Sequence, residues 1–140
     1  MRSISRGWLA LLVVAAVGLA ACDNTVDDRN NPPTSPTPDV TETFSGTINQ
    51  NGGATHAFNV NGGGTVTATL TTLTPEGSIA ELGLGTWNGA VCQLVLVNPN
   101  ATQANVVTGT VSSIGSLCVR ISDTGKLTGA TDYTITVVHP

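Results

Sequence analysis

The residues able to carry out chemistry are few, and they are three cysteines and two histidines: Cys22, Cys92, Cys118, His56 and His139. The signatures G-x-S-x-G, H-E-x-x-H and the Walker loop do not occur in the chain. A general base needs a nucleophile and an orienting group nearby. No motif supplies them for His56, so we interpret it as a half-buried strand residue beside Phe58. His139 is expected to be solvated, and the sequence predicts a non-enzyme without a cofactor.

Asp123 and Asp132 flank a polar loop over residues 124–131. With backbone carbonyls they would offer oxygen atoms to Ca²⁺, which takes about six to eight of them. The regular ladder of oxygen ligands that calcium loops show is missing here. The alternative interpretation is that both carboxylates cap the loop and Lys126 neutralises one of them. Calcium remains a candidate ligand of these two residues.

Three further features have a functional and a structural interpretation. The alternate threonines of residues 65–71 form either a ligand-facing surface or the solvated face of a strand. Trp87 is either an exposed sugar platform or a core residue, and core is the commoner role. The glycine run at 62–64 is explained by a hairpin turn better than by a phosphate cradle, which would need a following helix.

The first 21 residues have the pattern of an export signal. A short basic segment, Met1 to Arg6, precedes an apolar run from Trp8 to Ala21. That run is too short for a typical membrane-spanning helix, which needs about 20 residues. Acidic residues follow it, with no stop-transfer pattern. We therefore predict that residues 1–21 are a removable signal peptide.

The signal ends in Leu19-Ala20-Ala21-Cys22, which resembles the lipobox of bacterial lipoproteins. The resemblance implies that Cys22 is thioether-linked to diacylglycerol and that cleavage occurs just before it. It also implies that the new amino terminus is usually acylated. One acyl chain binds a membrane only marginally, whereas two or three anchor a protein stably. The alternative is an ordinary secretory signal followed by an incidental thiol.

If Cys22 carries lipid, Cys92 and Cys118 remain as a pair in an oxidising compartment. We predict that these two form a disulfide. The alternatives are two free buried thiols or a metal site. A metal site lacks further ligands, because no other cysteine is available and the histidines are isolated in the sequence.

Composition divides the remaining chain at about residue 41. Residues 22–41 are polar and hold four of the seven prolines, which is typical of a disordered tether. Residues 42–140 alternate apolar and polar positions and contain Asn-Gly turn signals, as in Asn51-Gly52 and Asn88-Gly89. We predict an all-β antiparallel sandwich or jelly roll. Its expected eight strands lie near 43–49, 55–61, 64–72, 79–86, 91–97, 105–112, 116–122 and 131–138.

The alternating apolar positions predict a single core. Its expected members are Phe44, Ile48, Phe58, Val60, Val66, Leu70, Leu82, Leu84, Trp87, Val119, Ile121, Tyr133, Ile135 and Val137. Residues 91–97 do not fit, since they are apolar on both faces. Cys118 shares the outward face with Arg120, which would place Cys92, Leu94 and Leu96 outward unless a bulge or a loop intervenes. Whether Leu94 and Leu96 or Val95 and Val97 face the core stays open.

The segment from Phe44 resembles the bacterial pre-peptidase C-terminal type of domain. The resemblance rests on residues 44–48 (FSGTI), 56–60 (HAFNV), 117–123 (LCVRISD) and 133–137 (YTITV). It implies a non-catalytic jelly-roll sandwich of the kind appended to secreted proteases. No protease segment lies within these 140 residues, and the pair Cys92 and Cys118 departs from the family pattern.

Charge limits the partners. After residue 21 the chain keeps three basic and nine acidic side chains, so it lacks the basic patch that nucleic acid requires. The net negative charge also repels anionic headgroups, so we expect membrane contact through the N-terminal lipid. We expect a lipid-anchored protein of the cell envelope, facing the periplasm or the cell exterior, that binds an envelope protein or glycan or has a structural role. The alternative is an accessory or inhibitor of an exported peptidase. Residence in the inner or the outer membrane stays open.

Overall fold

The computed structural model describes residues 36–140, which form eight β-strands and no helix. The strands are β1 (Val40–Ile48), β2 (Gly53–Val60), β3 (Gly64–Thr74), β4 (Ala80–Trp87), β5 (Cys92–Ala101), β6 (Val106–Val111), β7 (Gly115–Ser122) and β8 (Thr131–His139). The predictions for the signal peptide, Cys22 and most of the tether fall outside the described residues. Val40 begins β1 inside the segment assigned to the tether from its composition.

The strands form two four-stranded antiparallel sheets. The first has the order β1-β8-β3-β6 and the second β2-β7-β4-β5. Successive strands thus alternate between the sheets, except that β4 and β5 form a hairpin within the second. This is the strand order of a jelly roll, so the predicted all-β sandwich of eight strands is confirmed.

Alternation along the strands builds the core between the sheets. In β8, Tyr133, Ile135 and Val137 are buried and the residues between them are less so. Thirteen of the fourteen expected residues belong to the core or pack against it, with Phe44 only partly buried. The exception is Trp87, whose expected core position is wrong. It lies on the same face of β4 as Gly85, opposite to the core face of Leu84, and it is half-buried at the end of the strand.

The prediction that His139 is solvated is wrong. It continues the inward-facing series of β8 and is buried, because β8 stays paired with β1 up to the register His139 with Val40. Its ring packs on Phe58 at a centroid distance of 5.0 Å. Nε2 of the ring lies 3.1 Å from a carboxylate oxygen of Glu42.

The connections gather at two opposite ends of the sandwich. Loops 61–63, 88–91 and 112–114 lie at the end where the chain enters β1, which we name the proximal end. There Thr37 contacts Gly62, and Gly63 lies beside Ser112. Loops 49–52, 75–79, 102–105 and 123–130 lie at the other end, the distal end.

Candidate functional site

The disulfide between Cys92 and Cys118 shapes one edge of the second sheet. Its presence confirms the predicted pairing. Cys92 begins β5, Cys118 lies in β7, and β4 runs between them. Strands two apart in a flat sheet lie about 10 Å from each other, whereas these two Cα atoms are 5.8 Å apart. The start of β5 therefore folds across the outer face of β4 and covers Cys118.

Two glycines of β4 make room for the overlying strand. A Cβ atom on Gly85 would lie 2.6 Å from the carbonyl carbon of Gln93 and 2.8 Å from the Cα of Leu94. A Cβ on Gly83 would lie 2.9 Å from the Leu94 side chain. Leu94 thus covers the face of β4 opposite to the core. The absence of a side chain at Gly85 is what lets β5 approach so closely.

A β-bulge explains why residues 91–97 resisted interpretation from sequence. Leu84 pairs with Leu96 and Gly85 pairs with Leu94, so Val95 is the extra residue. A bulge changes the alternation of side chains. Leu94 consequently faces outward, while Val95 and Leu96 both line the gap between the sheets. Neither of the two alternating patterns considered from the sequence describes this strand.

The bulge opens an apolar cleft between the edge strands β5 and β6, near the proximal end. Its volume is about 170 Å³. The Leu96 side chain reaches across to β6, where one methyl carbon lies 2.7 Å from the position a Cβ would take on Gly109. Val95 is 71% exposed and Leu96 37% exposed. The side chains that give the cleft its apolar walls are Val66, Leu84, Val95, Leu96, Val111 and Leu117.

The size and lining of this cleft limit what it can hold. Pockets for drug-sized ligands are typically about 300–1,000 Å³, so the cleft suits one apolar side chain or a small apolar group. Its walls offer few polar atoms to a sugar. Sequence reasoning missed this site, and its only signal was the apolar character of both faces of residues 91–97. We regard the cleft as the candidate functional site of the described domain.

The calcium candidates lie on different elements and already have protein partners. Asp123 follows β7 in the second sheet, whereas Asp132 lies in β8 of the first. One Asp123 oxygen accepts the backbone N–H of Asn51 at 2.8 Å, and the other accepts those of residues 125, 126 and 127. Asp132 accepts a hydrogen bond from Thr47. Within residues 36–140, no group of three or more His, Cys, Asp or Glu could hold a metal ion.

Asp123 organises the distal loop through these four amides. The hydrogen bond from Asn51 and those from the following loop lower the pKa of the carboxyl below its ordinary value, against an opposing effect of burial. The capping interpretation proposed that Lys126 neutralises one of the two carboxylates, and the structure does not show this contact. The ammonium group of Lys126 donates instead to the Pro99 carbonyl and to Asn100 in β5.

Replacing Asp123 with Asn is expected to lower the melting temperature at neutral pH. The carboxylate favours the folded state above the pKa of the unfolded chain, and this contribution disappears as the pH falls through the lower pKa of the folded state. The deficit of Asp123→Asn should therefore shrink in acid. Melting curves between pH 7 and pH 2 measure it, with Glu76→Gln as a control for charge removed from an exposed loop. A deficit that is the same at all pH values would contradict the assignment.

His56 is half-buried, as interpreted from the sequence, and it joins the two sheets at the β1–β2 edge. Its ring stacks on Phe44 at a centroid distance of 4.8 Å. Nε2 lies 2.7 Å from the hydroxyl oxygen of Tyr133. Burial lowers the pKa of His56 and raises the pKa of Tyr133. One of the two ring nitrogens is therefore engaged with Tyr133.

The threonine row lies on the outer face of the first sheet, as expected. Thr71 shares a hydrogen bond of 2.9 Å with Thr136 of β8, and Ser45 shares one of 3.0 Å with Thr134. Trp87 lies directly before the 88–91 turn, in which the Asn88 side chain accepts hydrogen bonds from the backbone N–H groups of residues 90 and 91. A half-buried single ring is a small platform for a sugar.

A scan against protein-family models and a search of curated proteins each found no match to this chain. The resemblance to the pre-peptidase C-terminal domain therefore stays a prediction from the residues that carry it. Among the described residues, no helix has the length and hydropathy to cross a membrane.

Proposed function

We propose that the chain is a lipid-anchored protein of the cell envelope whose β-sandwich is a non-catalytic binding or structural module. The observation that supports this most is the use of the cysteines. Two of the three form a disulfide inside the domain, and Cys22 is left over. Disulfides persist in oxidising compartments, which agrees with the export signal predicted for residues 1–21. Cys22 is then free to carry the lipid.

The apolar cleft is the part of the domain best suited to contact a partner. Its volume fits a single apolar side chain presented by another protein. The domain offers a glycan little surface for stacking, since Trp87 is its only tryptophan and the ring is half-buried. We propose an envelope protein as the partner class, with the cleft holding one of its apolar side chains.

Intact-mass spectrometry of the mature protein, together with membrane fractionation, tests the anchor. The chain should begin at Cys22, carry diacylglycerol and a further acyl group, and be lighter by two hydrogen atoms for its disulfide. It should remain in the membrane fraction at high salt, because insertion of acyl chains does not depend on charge. Cys22→Ser should leave that fraction or remain unprocessed.

A mature chain that begins at Cys22 without lipid would contradict the anchor and indicate an ordinary secretory signal. The same membrane preparation, solubilised in detergent, separates the partner classes. Co-purification of one peptidase would favour the accessory role, and retention on a glycan matrix would contradict a protein partner.

A further inference from the structure

We propose that the proximal end of the sandwich is a docking surface for the lipid bilayer, with the side chains of Val91 and Ile114 entering the headgroup region. The inference rests on the proposed function, because it requires the lipid at Cys22. It goes beyond that function, since an anchor on a tether does not by itself orient the domain.

The first observation concerns which side chains lie at the proximal end. Ile114, in loop 112–114, is 73% exposed, and Val91, in loop 88–91, is 57% exposed. Both are aliphatic side chains that lie in solvent at this end, directly before β5 and β7, where contact with an apolar phase would stabilise them. Trp87 lies directly before the 88–91 loop. Tryptophan is enriched where an apolar phase meets water.

The second observation is the distribution of charge between the two ends. The proximal loops read Asn-Gly-Gly (61–63), Asn-Gly-Ala-Val (88–91) and Ser-Ser-Ile (112–114), without a charged residue. The distal loops contain Glu76, Asp123 and Lys126. Desolvation of a charge is costly. The three proximal loops can approach a hydrocarbon boundary without that cost, whereas the distal end would bring Glu76, Asp123 and Lys126 with it.

The third observation is where the chain outside the described residues leads. Thr37 contacts Gly62, and β1 starts at Val40, so the first described residues, 36–39, lie at the proximal end. Pro36, the first described residue, lies fourteen positions after Cys22. An extended chain spans at most about 3.6 Å per residue, so fourteen residues keep the proximal end within about 50 Å of the anchor. Such a tether gives a high effective concentration, so a weak surface is sufficient for docking.

Charge determines the kind of bilayer. The described domain has two basic and six acidic side chains, and Asp39 and Glu42 lie near the proximal end. Anionic lipids would repel this surface. Docking must therefore rely on insertion of apolar side chains, and it should be strongest on zwitterionic lipid and insensitive to salt.

The test uses the fluorescence of Trp87. Trp8 leaves with the signal peptide, so Trp87 is the only tryptophan of the mature chain. The lipidated protein is placed in phosphatidylcholine vesicles with brominated acyl chains, which quench a nearby indole. We expect at least twofold quenching relative to unbrominated vesicles, and little change between low and high salt.

The variant Val91→Ser/Ile114→Ser should lose most of the quenching while floating with the vesicles and keeping its melting temperature, since both side chains are exposed. The matched control is Val106→Ser. Val106 is 49% exposed but begins β6 near the distal end, so this variant should be quenched like the native chain.

Each other outcome overturns the inference. Vesicle-bound protein without quenching, or a double variant quenched as strongly as the native chain, contradicts docking while leaving the anchor intact. Absence of quenching together with a dimer in solution would mean that a second copy covers the proximal end. A protein that lacks the lipid and does not float overturns the proposed function and, with it, this inference.

Discussion

The variant Cys92→Ala/Cys118→Ala is expected to lose about 3–4 kcal/mol of folding free energy. The bond joins residues 26 apart in sequence. In the chain-entropy account, closing a loop of this length restricts the unfolded chain by about that amount. A domain of this size has a total stability of only about 5–15 kcal/mol. The loss should therefore be visible as a large shift of the unfolding midpoint in urea.

Reduction provides the control for this prediction. A thiol reductant should move the midpoint of the native protein to that of the double variant and leave the variant itself unchanged. Cys22→Ser should unfold like the native domain, since the strands of the sandwich begin only at Val40. A midpoint that does not respond to reductant would show that the bond contributes little to stability.

Gly85→Ala is expected to cost about 3 kcal/mol or more, at the upper end of the range for overpacking. The new Cβ would meet the backbone of Gln93 and Leu94 rather than the end of a flexible side chain. Backbone cannot rotate away, so β5 would have to lift from β4 near the disulfide. Chemical unfolding of the purified variant measures the cost.

Gly115→Ala is the matched control for the Gly85 variant. Gly115 begins β7 in the same sheet, and a Cβ there would have no heavy atom within 4 Å. Its effect should stay within about 1 kcal/mol in either direction. Equal losses at the two positions would mean that loss of glycine flexibility, rather than the close approach of β5, determines the cost.

The sequence was sufficient for the parts of the fold that depend on local patterns. Alternation in Thr65–Thr71 and Tyr133–Val137, with Asn-Gly turns between strands, identified the eight strands because side chains alternate along a strand with a period of two. The count of cysteines predicted the disulfide, once the lipobox-like context of Cys22 had set that residue aside. Both inferences use only neighbours in sequence or the number of a residue type.

The candidate site could not be predicted in the same way. The bulge at Val95 depends on the register between β4 and β5 and on the missing side chain at Gly85, which are properties of paired strands. The burial of His139 likewise depends on how far β8 stays paired with β1. Trp87 was wrongly assigned to the core because we gave its aromatic side chain more weight than its position in the alternation of β4.

The crossing of β5 over β4 makes the shape of the apolar cleft depend on the redox state of Cys92 and Cys118. Cys92 lies three residues before Val95, so the bond that holds the start of the strand also positions the rim of the apolar cleft. In a chain retained among cytosolic reductants, that rim would lose its covalent support. If the cleft binds a partner as proposed, its rim would reach its final shape only in a compartment where the disulfide can form.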